Sequence, residues 1–445
     1  MKSGSAIPAR QRLMIAGGAI GTLMEYYDYY LYGLAASTIF PVVFFPSDSV
    51  AAGVMLSFVG FAVGFVFRPF GGLLFGFIGD RFGRRRALLI TVVGMGLCTM
   101  AIGLVPATAT IGILAPALLL AFRALQGIFV GGEMGPAATY VVEHAPPGRR
   151  GLFGAFLITG AGAANIVSAG FMSALGLGGD SFFIQWGWRI PFVFALVLAI
   201  VAVLLRSKLE ESPKFERFQR EVRAPCSRAV RRPNPLREAI RHPRNAVLGI
   251  LIGLPQSIAG YIVLVFGISY VVQERGTSAE IGFVGAMIVG VCQIFIAPFW
   301  GMVSDRVGRR TFYIAACVLF PLLLYPAFML FGTGIAALVW LGMVVGFVIP
   351  GVAMQATLQT LLCEMFGVEA RTTGVNIGYQ FSNVFGGGFA PLIAVTLTAR
   401  FQSTVPVVVY AACVSAIGAV ATACVAFRRE AVPPQAPALG IKPAA

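Results

Sequence analysis

Apolar runs and short polar turns alternate along this chain twelve times. The runs fall at about 13–36, 52–79, 87–106, 112–143, 152–176, 187–206, 245–272, 280–303, 311–331, 335–365, 372–398 and 405–427. A helix of roughly 20 apolar residues crosses a hydrocarbon core of about 30 Å, and each run is long enough. The pattern predicts an all-α polytopic membrane protein with twelve transmembrane helices. Two stretches break the rhythm. Residues 206–244 form the longest polar segment, with twelve basic residues, five acidic ones and five prolines, and read as a linker lying against anionic lipid heads. Residues 429–445 are rich in Pro and Ala and read as a disordered tail. The predicted division is 1–205 for a first six-helix half, 206–244 for the linker, 245–428 for a second six-helix half, and 429–445 for the tail.

A charged turn interrupts the apolar pattern at the same place in each half. The stretch `GFIGDRFGRRRALL` begins at Gly76 and `GMVSDRVGRRTFYI` at Gly301, and six residues match at a constant offset of 225. They include Asp80 and Asp305, Arg81 and Arg306, Gly83 and Gly308, and Arg84 and Arg309. Glu143 and Arg150 close the fourth run as Glu364 and Arg371 close the tenth, at an offset of 221. A duplicated six-helix unit, arranged as a parallel repeat, explains both echoes. Asp80 can pair with Arg84 and sit by the positive N-terminus of the eleventh helix, which starts near Arg371, while Gly83 suits the tight turn. These residues, with Arg81, Glu143, Arg150, Asp305, Arg309 and Glu364, are the candidate gate.

Composition narrows the class. The chain has 445 residues, 58% of them hydrophobic and only 11% charged, too few to solvate a globular surface. A net charge of +15 would suit nucleic acid, but its distribution speaks for a membrane instead. Read from a cytoplasmic N-terminus, 28 of the 33 Lys and Arg residues lie on one side, only Arg189, Arg275 and Arg400 lie on the other, and Arg68 and Arg123 lie within spans. This skew predicts that both termini are cytoplasmic. The seven cysteines show no metal-ligand spacing, and six lie in apolar runs, with Cys226 in the linker. The two histidines, His144 and His242, both lie near the same surface, with no nucleophile and base at catalytic spacing, so an enzyme is not expected. A receptor without transport would need an output domain, and residues 206–244 are too short and too Pro-broken to supply one.

Five charged residues lie deep within runs: Glu25, Asp28, Arg68, Arg123 and Glu133. Each costs about 2.5–3.5 kcal/mol at a helix centre, so the five face protein or a water-filled cavity, where such groups mark a pathway. Counting 1.5 Å per residue, Asp28 reaches the depth of Arg123, and Arg68 that of Glu133 or Glu25. Gly21, Glu25, Asp28 and Tyr32 share one face of the first helix, and Arg123, Gln126 and Glu133 one stripe of the fourth. The neighbouring Tyr26, Tyr27, Tyr29 and Tyr30 read as packing aromatics, and Tyr32 as the site tyrosine. Beside the stripe, Gly127, Gly131 and Gly135 permit close helix approach. The second half offers amides and hydroxyls at mid-depth instead of charges: Gln256, Tyr261, Gln293, Gln355, Tyr379, Gln380 and Asn383. With Arg68, Tyr32 and Gln126 they form the candidate substrate site, suited to a hydroxylated or carboxylated solute.

The charged turn resembles the loop motif of the major facilitator superfamily. More narrowly, `MEYYDYYLYG` at 24–33, `FRPFGGLLFGFIGDRFGRR` at 67–85, `FRALQGIFVGGEMG` at 122–135 and `LEESPKF` at 209–215 resemble the metabolite:proton symporter branch. The resemblance implies two six-helix halves around a central site and uptake of a small organic acid coupled to protons. An osmolyte such as proline or betaine is the alternative substrate, although the tail shows no heptads of the kind that osmosensing relatives carry. It implies that Asp28 and Arg123 form the proton-coupling pair, with Glu25 and Glu133 as further candidates, and that the charged turns latch the cytoplasmic ends. It implies no cofactor beyond the proton gradient, and a monomer in a bacterial-type inner membrane. Expected partners are the metabolite, protons and the lipid bilayer, and no nucleic acid.

Overall fold

The computed structural model describes residues 9–47, 49–82, 84–133, 138–139, 141–142, 145–146, 148–207, 243–366 and 371–425, with backbone alone for 9–16, 50, 76–77, 79–82, 84–85, 180, 206, 274 and 371–372, among them Asp80, Arg81, Arg84 and Arg371. Gly83 and Glu143, the expected linker apart from its ends, and the whole expected tail lie outside the described residues.

The helices are α1 (Ala9–Thr38), α2 (Val50–Val66 and Arg68–Phe82), α3 (Arg84–Leu104), α4 (Leu114–Val130), α5 (Arg150–Gly176) and α6 (Arg189–Ser207). The second half supplies α7 (Pro243–Tyr261 and Gly267–Arg275), α8 (Ala279–Val307), α9 (Arg309–Phe331), α10 (Ala336–Met343 and Pro350–Met365), α11 (Arg371–Ser382 and Ala390–Phe401) and α12 (Val405–Cys424). Ten of them are long and apolar enough to cross a bilayer, and α4 is a shorter apolar helix. The remaining helix, α1, is 30 residues long. Two carboxylates and five tyrosines between Glu25 and Tyr32 dilute its apolar character, as suits a helix whose face is turned to a polar centre. Large apolar side chains on the outer helices, such as Leu204, Phe295, Leu322 and Val420, are exposed. A soluble monomer avoids so much exposed apolar surface, whereas lipid covers it at no cost.

The halves meet where α5 packs on α8, α2 on α11 and α1 on α7. The first contact has a plain cause. A Cβ on Gly290 would come within 2.6 Å of the Gly162 carbonyl oxygen, and one on Gly301 within 2.7 Å of that of Gly151. The two glycine pairs are spaced equally along both helices, so α5 and α8 run antiparallel, backbone against backbone. The same device joins α2 to α4, where Gly127 rests on the Gly64 carbonyl and Gly131 on that of Arg68.

Two features differ from the sequence reading. The fourth run, expected to be continuous over 112–143, is helical over Leu114–Val130 and then turns at Gly131–Glu133. The Gly131 carbonyl meets the side-chain amides of Asn376 and Gln380 from α11, each at 3.4 Å. The second feature is a wide π turn in three second-half helices: Ile262–Phe266 in α7, Val344–Val348 in α10 and Asn383–Gly388 in α11. Pro350 and Pro391 follow the last two. A proline lacks an N–H and crowds the preceding turn, and a wider turn accommodates both effects.

Candidate functional site

Three groups of polar side chains fill the centre of the bundle. In the first, the Asp28 carboxylate of α1 accepts from Arg123 of α4 at 3.0 Å. Gln126, one turn along α4, holds both members of this pair. Its Oε1 accepts from Arg123 Nη1 at 2.5 Å, and its Nε2 donates to Asp28 Oδ1. Thr99 of α3 completes the group, with its hydroxyl 2.7 Å from Asp28 Oδ1. The Arg123 guanidinium lies 4.1 Å from the centre of the Tyr32 ring and faces Gly64, where a Cβ would strike it. The small residue at Gly64 is what lets Arg123 lie flat between α1 and α2.

The second group surrounds Arg68. Its guanidinium carbon sits 3.9 Å from the centre of the Tyr29 ring and 3.5 Å from that of Phe65, in the corner that the two rings form. Rings attract a desolvated guanidinium by about 2 kcal/mol, and they leave its edge free to donate. That edge is free here, since Nε and Nη1 of Arg68 are buried and have no hydrogen-bond partner. Tyr29 also donates to Glu25 Oε1 at 2.7 Å, whereas Glu25 Oε2 is buried without a partner. Tyr26 and Tyr379 touch hydroxyl to hydroxyl at 3.1 Å across the two halves. Tyr261 closes the aromatic wall, edge-on to both Phe61 and Phe65.

The third group is a line of amides between the halves. Asn165 of α5 donates to Gln293 of α8 at 3.4 Å, and Gln293 donates to Gln355 of α10 at 2.7 Å. Tyr30 faces Asn165 and Gln355. Gln256 Oε1 is buried without a partner close to Tyr26.

The structure thus gathers Glu25, Asp28, Arg68, Arg123, Gln256, Tyr261, Gln293, Gln355 and Tyr379 into one centre. Glu133 is buried in the turn after α4. Gln126, expected on the substrate side, has both ends of its amide engaged by Asp28, Thr99 and Arg123. Asn383 faces α7, accepting from Ser257 at 3.3 Å and donating to the Tyr379 carbonyl at 2.9 Å, so it braces α11. Gln380 reaches Gly131 on α4. The tyrosines depart most from expectation. Tyr32 has a buried hydroxyl without a partner and serves Arg123 with its ring. Tyr26, Tyr29 and Tyr30, expected only to pack, have their hydroxyls in the centre. The spacing carried a signal: Tyr29 stands four residues after Glu25, the distance at which helical side chains meet. Thr99 and Asn165 were not singled out, since a lone hydroxyl or amide in an apolar run carries no such mark.

Among the described residues, the centre is buried and contacts join the two halves at both of its ends. Glu25, Asp28, Arg68, Arg123, Gln126 and Glu133 are all 3% exposed or less. At the end away from the basic turns, the Ser37 hydroxyl of α1 lies 2.7 Å from the Gly33 carbonyl of its own helix and 3.0 Å from the Val265 carbonyl of α7, and its one hydrogen serves either. At the basic end, Asp305 of α8 accepts from the Gly151 and Leu152 N–H groups at 2.9 and 3.0 Å. These belong to the first turn of α5, whose N–H groups have no partner within the helix and favour a negative charge. Arg309 ties the same carboxylate, at 2.7 Å, to Glu364 of α10. Thr360 of α10 adds a bond to the Arg150 carbonyl at 3.3 Å. The side chains of the corresponding first-half latch, Asp80, Arg81, Arg84 and Arg371, lie outside the described residues, as do Gly83 and Glu143.

Two six-helix halves that close over a buried polar centre define a membrane transporter, and the chain belongs to the major facilitator superfamily. The Sugar (and other) transporter family matches residues 14–242 and the Major Facilitator Superfamily residues 250–443. Among individual relatives, the shikimate transporter of Escherichia coli is 37% identical over 396 residues, covering 88% of this chain and 89% of that one. The proline/betaine transporter of Salmonella typhimurium is 31% identical over 411 residues, covering 92% and 82%. The solved structure of the proton:xylose symporter XylE bound to 6-bromo-6-deoxy-D-glucose has a TM-score of 0.71 at 18% identity and covers 93% of this chain and 94% of that one. Family and fold are those of transporters, not of enzymes.

Proposed function

We propose that this transporter takes up a small organic acid together with protons, by alternating access, across a bacterial-type inner membrane. The observation that carries this reading is Arg68: a buried guanidinium packed on the Tyr29 and Phe65 rings, with Nε and Nη1 unpartnered beside the Asp28–Arg123 pair. An unpartnered buried donor costs about 1–3 kcal/mol, and a substrate carboxylate would remove that cost. The amide line of Asn165, Gln293 and Gln355, with Tyr30, would receive the hydroxyls of the same solute. In this reading Asp28 takes a proton when Arg123 is drawn from it, and the energy comes from the proton gradient with no cofactor. The latch on Asp305 and its first-half counterpart would hold the basic end shut while the opposite end opens. The basic end is cytoplasmic in this reading, with both termini there; the chain works as a monomer of two halves, 1–205 and 245–428, joined by 206–244.

One observation favours a zwitterionic osmolyte. Glu25 Oε2 is buried without a partner near Arg68, so the two could receive the ammonium and the carboxylate of one molecule. A single experiment separates the readings. Proteoliposomes under an imposed pH gradient are offered radiolabelled shikimate, other hydroxylated monocarboxylates, proline and betaine. Accumulation of an acid, absent in Asp28→Asn but with counterflow exchange kept, is the expected result. Accumulation of the zwitterions alone moves the assignment to an osmolyte, and uptake indifferent to pH in the wild type rejects proton coupling.

A further inference from the structure

Thr99 lies in α3, which packs on α2, α4 and α6, yet its side chain is 1% exposed and reaches the proton-coupling pair of α1 and α4. Its hydroxyl has one hydrogen and two acceptors in reach: Asp28 Oδ1 at 2.7 Å and the Met95 carbonyl at 2.9 Å. Gln126 Nε2 donates to the same hydroxyl oxygen at 2.7 Å.

An ionised Asp28 accepts hydrogen bonds only, and Arg123, Gln126 and Thr99 all supply them. A protonated Asp28 needs an acceptor for its own O–H, because a buried donor without one bears its full desolvation penalty. Arg123 accepts nothing. Gln126 presents Nε2, a donor, to Asp28, while its oxygen is held by Arg123. The Thr99 oxygen is the acceptor that remains among these bonded neighbours. We propose that Thr99 is a positioning residue of the proton site, a hydroxyl with two settings that follow the protonation of Asp28. With Asp28 ionised, the hydroxyl donates to Oδ1. When a proton arrives on Oδ1, the Thr99 hydrogen turns to the Met95 carbonyl and the oxygen accepts from the new Asp28 O–H. No covalent bond of Thr99 changes, and one proton is gained by the carboxylate.

The other groups around Asp28 do not substitute for this role. Glu25, Tyr27 and Tyr32 of its own helix, Arg68 of α2 and Cys98 of α3 lie close enough to feel its charge. None of them hydrogen-bonds to it. The inference rests on the reading of Asp28 as the coupling carboxylate.

The test is the proton dependence of uptake in proteoliposomes, using the acid selected by the panel above, with radiolabelled shikimate tried first. Thr99→Val keeps the shape of the side chain and removes the hydroxyl. Ionised Asp28 then keeps Arg123 and Gln126 as donors, but the protonated form is left with no acceptor. About tenfold more protons are expected to be needed for half-maximal uptake, the equivalent of about 1.4 kcal/mol. Thr99→Ala guards against misfolding of the first variant and is expected to show the same shift, while Thr99→Ser restores the wild-type profile. An unchanged profile in folded Thr99→Val or Thr99→Ala overturns the proposal, and so does a shift to fewer protons, the result of a hydroxyl that only donates to the ionised carboxylate; a Thr99→Ser profile that matches Thr99→Val overturns it as well. If Asp28→Asn retains wild-type proton dependence, the reading beneath the proposal fails, and the proposal falls with it.

Discussion

At the scale of the residue, the centre is organised by groups that are costly to bury. Arg68 gives the most direct prediction. Its planar guanidinium packs against the Tyr29 and Phe65 rings and presents an unpartnered edge, which an ammonium cannot imitate because it has no flat face and no fork. Arg68→Lys is expected to raise the half-saturating substrate concentration at least tenfold, about 1.4 kcal/mol, with the protein folded and inserted. Measured uptake kinetics with a wild-type half-saturation would assign Arg68 to packing alone. The same physics explains what could be read from the sequence. Glu25, Asp28, Arg68, Arg123 and Glu133 stood out because charge in an apolar run needs a reason, and depth alone matched Asp28 to Arg123. Thr99 and Asn165 could not be found that way, since a buried hydroxyl or amide satisfies itself on a neighbouring helix. The roles of Tyr26, Tyr29 and Tyr30 depend on which face of α1 turns inward, and the crowding of tyrosines on all faces hides that.

At the scale of the element, apolar length gave the helices and could not give their interruptions. The turn at Gly131–Glu133 arises where α4 meets the Arg68 carbonyl and the amides of α11, contacts between segments far apart in the chain. The π turns within α7, α10 and α11 likewise leave no mark in the apolar pattern. The charged turn, by contrast, was legible because it occurs twice. Its second copy binds the end of α5 just as the repeat predicts for the first copy and α11. Two N–H groups and Arg309 converge on Asp305, bonds to a charged acceptor worth about 1.5–3 kcal/mol each. Asp305→Asn removes the charge and leaves one oxygen for three donors, so the closed basic end should lose about tenfold in population. In a background without other cysteines, Thr360→Cys, buried beside this latch, is then expected to react with a maleimide about tenfold faster from the basic side. Equal labelling rates with and without the Asp305 change would remove the latch role.

At the scale of the whole molecule, charge predicts the orientation and duplication explains the architecture. Glycine pairs set α5 against α8, and the repeat places α2 against α11, so the centre lies between two bodies that can tilt about it. Such tilting would open one end as it closes the other, and the sequence predicts that most of the basic residues lie at one end. A bilayer face rich in anionic lipid attracts Lys and Arg at about 1 kcal/mol each. If 28 such residues lie on one side and three on the other, as the span pattern of the sequence predicts, an inverted insertion would forfeit on the order of ten kcal/mol or more. The three exceptions, Arg189, Arg275 and Arg400, lie at the start of α6, the end of α7 and the end of α11, where successive crossings bring the chain to the opposite face. The prediction is a labelling pattern in sealed cells of a variant freed of its own cysteines. Cysteines at Ser3 and Arg228 should react only after the membrane is opened, and one at Thr277, in the turn between α7 and α8, should react from outside. Ser3 and Thr277 together also count the crossings between them, an odd number if they lie on opposite faces. Labelling of both from the same side would therefore break the seven-helix count from α1 to α7, and labelling of Ser3 alone from outside would reverse the molecule in the membrane.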